Sequence, residues 1–175
     1  MEPKTQIYIA ADWDGDKEAV DQLCSWNNEN SWDLSFVDAH DVLQTHDGSL
    51  YCSIKAALRS QLYVSQTFVL IVGEETKSGM SGSCLFCGRN NSNQYCARGH
   101  LADYRSYIEY ACDKAVADDL KIIVLYNSAA VSRDKCPEIL QDKGTHVAMQ
   151  LSADGLNRDE QPKWDYASVK AALER

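Results

Sequence analysis

Short apolar runs alternate along this chain with longer stretches whose apolar residues recur at helical spacing. Residues Ile7 to Ala11 form one such run, which ends in Asp12-Trp13-Asp14-Gly15-Asp16 and reads as a buried strand meeting a loop. Asp14 or Asp16 then caps a helix with Ala19, Val20, Leu23 and Trp26 on one face. Residues Asp33 to Asp38 alternate as a second strand, and a polar stretch from Ala39 to Gly48 follows as a loop. The next helix turns Ile54, Ala57, Leu58 and Leu62 inward. Thr67 to Gly73 and Leu120 to Tyr126 are continuous apolar runs, the pattern of strands covered on both faces. Before the second of these lies a helix whose stripe is Tyr104, Tyr107, Ile108, Ala111 and Ala115. A weaker strand from Thr145 to Met149 and a helix from about Asp165 to Leu173 complete the pattern.

Strands that alternate with helices imply an α/β fold with a mainly parallel sheet covered on both sides. Five strands in this length predict a flavodoxin-like three-layer sandwich with strand order 2-1-3-4-5. Ligands in such folds bind at the C-terminal ends of the strands. Residues 1–175 read as one domain, since 45% hydrophobic content over 175 residues suffices for a single core. The exception to the rhythm is an insertion at about 77–100, rich in Gly, Ser, Asn and Cys, between the third strand and the next helix.

Composition narrows the function classes. A net charge of −9 offers no positive field to a nucleic-acid backbone. No apolar run approaches the ~20 residues of a membrane helix, and the N-terminus enters a strand pattern rather than a signal peptide. Seven cysteines are an odd set, with Cys24, Cys52 and Cys112 inside predicted helices, so a reducing cytoplasm is expected. Neither glycine-rich phosphate-binding fingerprint is present, which disfavours P-loop and dinucleotide-dehydrogenase chemistry.

Glu109 is the foremost candidate for chemistry. It lies at the edge of an apolar helix stripe, from which a carboxylate can reach the rim of the sheet; the plainer alternative is a surface pair with Arg105 one turn earlier. Asp12 and Trp13 end the first strand and Asp38 ends the second, positions equally suited to a helix cap, a packing lid and a turn. Cys84-x2-Cys87-x8-Cys96-x3-His100 can close a tetrahedral zinc site. Four protein ligands would make such a zinc structural, pinning the insertion, and the alternative is a polar loop with thiols. His40 and His46 read as exposed loop residues, and His146 as a satisfied core histidine.

Ile9-Ala-Ala-Asp12-Trp-Asp14-Gly-Asp16-Lys17, Ser53 to Leu58, Phe68 to Thr76 and Glu109 to Asn127 together resemble TIR-like domains of the bacterial Thoeris antiphage-defence group. The resemblance spans roughly residues 5–130. It implies cleavage of the nicotinamide–ribose bond of NAD+ by a helix glutamate, which by position is Glu109. It further implies an ADP-ribose-derived signal, cyclic or conjugated, that activates a separate effector, with self-association and a phage trigger. Asp12, Trp13, Asp38, Tyr104 and Arg105 are the substrate-binding residues on that reading. The chain departs from the group's pattern at two places: Arg105 stands where a tryptophan is common four residues before the glutamate, and Ala10 where a serine is common. Tyr104 or Tyr107 could supply the aromatic surface. The competing readings are a non-catalytic TIR-like scaffold and a response-regulator receiver. The receiver is disfavoured because the third strand ends in Gly73-Glu74, without a phosphoacceptor Asp, and Thr145 to Met149 holds no Lys.

Overall fold

The computed structural model describes residues 6–45, 50–87, 95, 99, 101–152 and 163–175. The apolar runs form the strands β1 (Gln6–Ala10), β2 (Ser35–Asp38), β3 (Thr67–Val72), β4 (Lys121–Tyr126) and β5 (Thr145–Ala148). All four pairings are parallel and the order is β2-β1-β3-β4-β5, as the sequence pattern predicts. β3 is buried at every position and β4 at every position but the first, which explains their unbroken apolar character.

The helices are α1 (Trp13–Glu29), α2 (Ala39–Thr45), α3 (Tyr51–Tyr63), α4 (Tyr107–Ala117) and α5 (Tyr166–Glu174). Two apolar cores sandwich the sheet. Tyr8, Leu58, Leu62, Phe68, Leu70, Ala111 and Ala115 share one, on the side of α2, α3 and α4. Ile9, Val20, Leu23, Val69, Ile71, Val169 and Leu173 share the other, on the side of α1 and α5. Trp32 Nε1–H donates to the Tyr166 hydroxyl at 3.0 Å, and Trp26 packs edge-on against both Tyr166 and Trp164, so aromatic contacts hold α5 to α1.

Two expectations for these elements need correction. The polar stretch after β2 is not all loop, because Ala39–Thr45 is helical. Val42 and Leu43 pack there against the α3 side of the sheet. Nor do Asp14 or Asp16 cap α1. Asp12 occupies the cap position without a side-chain cap bond, and Asp16 is 2% exposed inside the first turn.

Candidate functional site

Between β1 and β3 the chain leaves the sheet in opposite directions, and a crevice opens there by topology. A cavity of about 530 Å³ occupies that place on the α3–α4 side of the sheet. Tyr8 and Ala10 of β1 and Leu58 of α3 give it an apolar floor, and Asp12, Trp13 and Asp14 form the rim over α1. His40 and Leu43 close it from α2, Glu75 and Ser81 from the segment after β3, and Ser106, Tyr107, Ile108 and Ala111 from α4.

Three buried polar atoms of residues in this wall have no hydrogen-bond partner among the described residues: Tyr8 Oη, His40 Nε2 and Tyr107 Oη. Leaving such a group unpaired costs about 1–3 kcal/mol, and all three side chains belong to residues that line the cavity. Tyr8 is fully buried, and that burial raises the pKa of its phenol far above the ordinary value. The Tyr107 phenol is raised as well, first by burial and then by Tyr51 and nearby thiols. Both hydroxyls therefore remain protonated donors. Asp12, Asp14 and Glu75 set the charge of the wall, and no Lys or Arg lines it among the described residues.

Local contacts fix these side chains. The His40 ring stacks on Trp13 with centroids 3.7 Å apart and planes within 3°. The His40 backbone N–H donates to Asp38 Oδ1 at 2.9 Å, which anchors the start of α2. Tyr107 meets Tyr51 edge-on at 5.9 Å and lies against Gly82. Gly82 has φ of +89°, and a Cβ there would stand 2.5 Å from the Tyr107 ring, so both the turn and the approach require glycine.

Residues 8–80 match the family model described as Thoeris protein ThsB, TIR-like domain. Over those residues the chain is similar to Thoeris-type TIR-like domains. No curated protein matches the chain. The matched stretch carries the cavity residues of β1, α1, α2 and α3 with Glu75 and Gly79 after β3, and it stops before α4.

Of the residues expected to meet a substrate, the TIR-like fold brings Asp12 and Trp13 to the cavity. One face of Trp13 is covered by His40, and the Lys17 ammonium stands 5.1 Å from the ring centroid, so Trp13 acts as a packed wall. Asp38, also expected at the site, is not among the residues lining the cavity and accepts the His40 amide. Tyr104 is half exposed, ahead of α4 and outside the cavity. Arg105 points elsewhere, bonding Asp103 through Nε and Nη2 and Asp113 through Nη1 at 2.6 Å.

Glu109, expected as the catalytic residue, is not among the residues lining this cavity and does not pair with Arg105. Its Oε2 accepts the Ser106 N–H at 2.8 Å while the Ser106 hydroxyl accepts the Glu109 N–H at 3.1 Å, a capping box that starts α4. The helix turns Tyr107, Ile108 and Ala111 to the cavity. At 100° per residue Glu109 then lies about 150° around from the centre of that face.

The zinc expectation is not supported. Cys96 and His100 lie outside the described residues, as does His46. Among the described residues no group of three or more His, Cys, Asp or Glu could hold a metal ion. Cys84 is buried and its Sγ accepts the Asp103 N–H at 3.3 Å. His40 is not the exposed loop residue expected, since its Nε2 is buried. His146 is the satisfied histidine expected, placed 2.8 Å from Tyr126 Oη and 2.9 Å from the Lys143 carbonyl. No helix of the described residues is long and apolar enough to cross a membrane.

Proposed function

We propose that this protein takes the nicotinamide–ribose end of NAD+ into the switch-point cavity and cleaves the bond between them. The product is nicotinamide plus an ADP-ribose-derived signal, cyclic or conjugated, that acts on a separate effector in antiphage defence. The observation that carries the reading is the pairing of three polar atoms unpartnered among the described residues with a wall that holds Asp12, Asp14 and Glu75 and, among those residues, no Lys or Arg. A cationic pyridinium bearing an amide matches both features, and the two phosphates of the same molecule are left to the cavity mouth.

The reaction needs little from the protein. As the C–N bond breaks, its electron pair passes to the pyridinium nitrogen, and nicotinamide leaves neutral without a general acid. Positive charge develops on the ribose, and a carboxylate beside it stabilises that oxocarbenium character. Water or a hydroxyl of the acceptor then attacks the anomeric carbon and gives its proton to the carboxylate or to solvent. Asp12 is the first choice for that carboxylate, being half-buried in the wall and making no side-chain cap bond to α1. Glu75 is the second, although the Ser78 hydroxyl donates to its Oε2 at 2.6 Å. Glu109 is not assigned the step.

One observation favours a second reading, a module that binds the nucleotide without cleaving it. The cavity face of α4 presents Ser106, Tyr107, Ile108 and Ala111, with no carboxylate. Mass spectrometry after incubation with NAD+ separates the two, with Asp12→Asn, Glu75→Gln and Glu109→Gln beside wild type. Nicotinamide release that is lost in Asp12→Asn and kept in Glu109→Gln is the expected result. Release abolished by Glu109→Gln alone would overturn the assignment, and NAD+ bound but unchanged would favour the binding module.

A further inference from the structure

Two arms of the insertion cross over a single buried ammonium. Lys55, on the inward face of α3 between Ile54 and Leu58, is 4% exposed. Its Nζ donates to the Arg105 carbonyl at 2.7 Å and the Asp103 carbonyl at 3.2 Å, and stands 3.5 Å from the Asp103 carboxylate. The Asp103 carbonyl also accepts the Cys84 N–H at 2.9 Å, which ties the returning arm to the outgoing one. Two residues beyond Arg105, the Tyr107 N–H donates to the Ser81 carbonyl at 2.8 Å. Ser81, Ser106 and Tyr107, all cavity-lining, thus sit within a few residues of the groups that Lys55 binds.

Burial of an ammonium in an apolar helix face is opposed by desolvation, which lowers the Lys55 pKa, while Asp103 works the other way. An apolar residue of similar length would fill the same space without that cost, but could not bridge the two carbonyls. Lys55 itself does not line the cavity.

We propose that Lys55 is a positioning residue, a latch that holds the returning arm of the insertion against α3 and so keeps Ser106 and Tyr107 in the cavity wall. The inference rests on the cavity being the nucleotide site proposed above. Its test separates the two ideas by reading the latch without ligand and the site with it.

Hydrogen exchange of the full chain, followed by NMR or mass spectrometry, reads the Cys84 and Tyr107 amides in wild type, Lys55→Met and Lys55→Gln. The Val69 and Leu70 amides of β3 report the core. Lys55→Met is expected to speed exchange at Cys84 and Tyr107 roughly tenfold or more while the β3 amides stay protected. Lys55→Gln, which keeps donors but loses the charge, is expected to fall between and carries the same test should Lys55→Met fail to fold. The NAD+ dissociation constant is expected to rise roughly tenfold in Lys55→Met. Unchanged exchange at both the Cys84 and Tyr107 amides would overturn the latch, as would a uniform loss of protection that includes β3. Wild type that shows no NAD+ binding would refute the nucleotide reading, and the exchange comparison would still judge the latch.

Discussion

The two sides of the sheet meet its C-terminal edge in opposite ways. On the α3–α4 side the edge is open, and Tyr8, His40 and Tyr107 hold polar atoms that are unpaired among the described residues. On the α1 side the edge is closed by Asp16, which is 2% exposed and packed directly on Gly73. Asp16 Oδ1 accepts from Asn127 Nδ2 at 2.9 Å, and Asn127 Oδ1 accepts from Gln150 Nε2 at 3.1 Å. A polar chain thus links α1 to the ends of β4 and β5. Both sides bury polar groups at a cost. The closed side offsets part of that cost through the Asn127 bond while Asp16 Oδ2 has no partner among the described residues, and the open side leaves three such atoms beside the proposed nucleotide cavity.

Breaking the closed side is expected to give the largest effect. A Cβ at Gly73 would stand 2.1 Å from Asp16 Oδ1, a distance that neither the strand end nor the buried carboxylate can absorb. Gly73→Ala is expected to lose about 2–3 kcal/mol in urea unfolding, as overpacked sites do. If the loss stays under about 0.5 kcal/mol, the closed edge is looser than its geometry implies.

The open side should respond with the opposite sign. Tyr8→Phe removes a buried hydroxyl that has no partner among the described residues, so the ligand-free protein is expected to gain up to about 1 kcal/mol. NAD+ affinity is expected to fall roughly tenfold in the same variant, measured by calorimetry. Stability and binding moving together would mean that Tyr8 is simply core, and the contrast between the two sides would lose its meaning.

Asp16 gives a pH test of the closed side. Burial raises its pKa above the ordinary 3.8, with the Asn127 hydrogen bond opposing. For an acid with a raised folded-state pKa, its stabilisation is complete below the unfolded value. It is lost as pH rises through the folded value, because the unfolded chain releases the proton first. Wild type should therefore lose stability relative to Asp16→Asn from pH 4 upward. Asp38, also raised by burial, is common to both proteins and cancels in the comparison. Parallel urea midpoints from pH 4 to 7 would show that Asp16 carries no such linkage.

Much of the fold could be read from the chain because β3 and β4 are apolar end to end and the strand-helix alternation admits few topologies. α2 escaped because its seven residues hold only Val42 and Leu43 as large apolar groups, too few to show a period; packing against α3 and β1 decides its conformation. Asp12 and Trp13 were legible from their place just past β1. Tyr8 and Tyr107 were not legible as polar contributors, since a tyrosine in an apolar strand or helix stripe looks like core and its hydroxyl environment is a tertiary fact. His40 was hidden for the same reason, its stacking on Trp13 being a contact between elements.

Glu109 differs, because the chain also carried the signal of a structural role for it. Ser106-Tyr-Ile-Glu109 is the Ser-x-x-Glu pattern of a capping box, and the apolar stripe beginning at Tyr107 makes Ser106 the cap. A glutamate three residues into a helix reaches back to the chain entering it, which draws it from the face that meets the sheet edge. The smallest expected effect follows from that geometry. Glutamine can still accept the Ser106 N–H, so Glu109→Gln should change stability by less than about 0.5 kcal/mol and leave NAD+ binding as it was. Ser106→Ala, which removes the other half of the box, should cost about 1 kcal/mol by losing the acceptor for the Glu109 N–H. A Glu109→Gln protein that folds normally yet loses NAD+ turnover would require α4 to rotate or its first turn to unwind when substrate binds. Exchange at the Glu109 and Tyr110 amides with NAD+ present would reveal such a change, since both amides are bonded to Ser106.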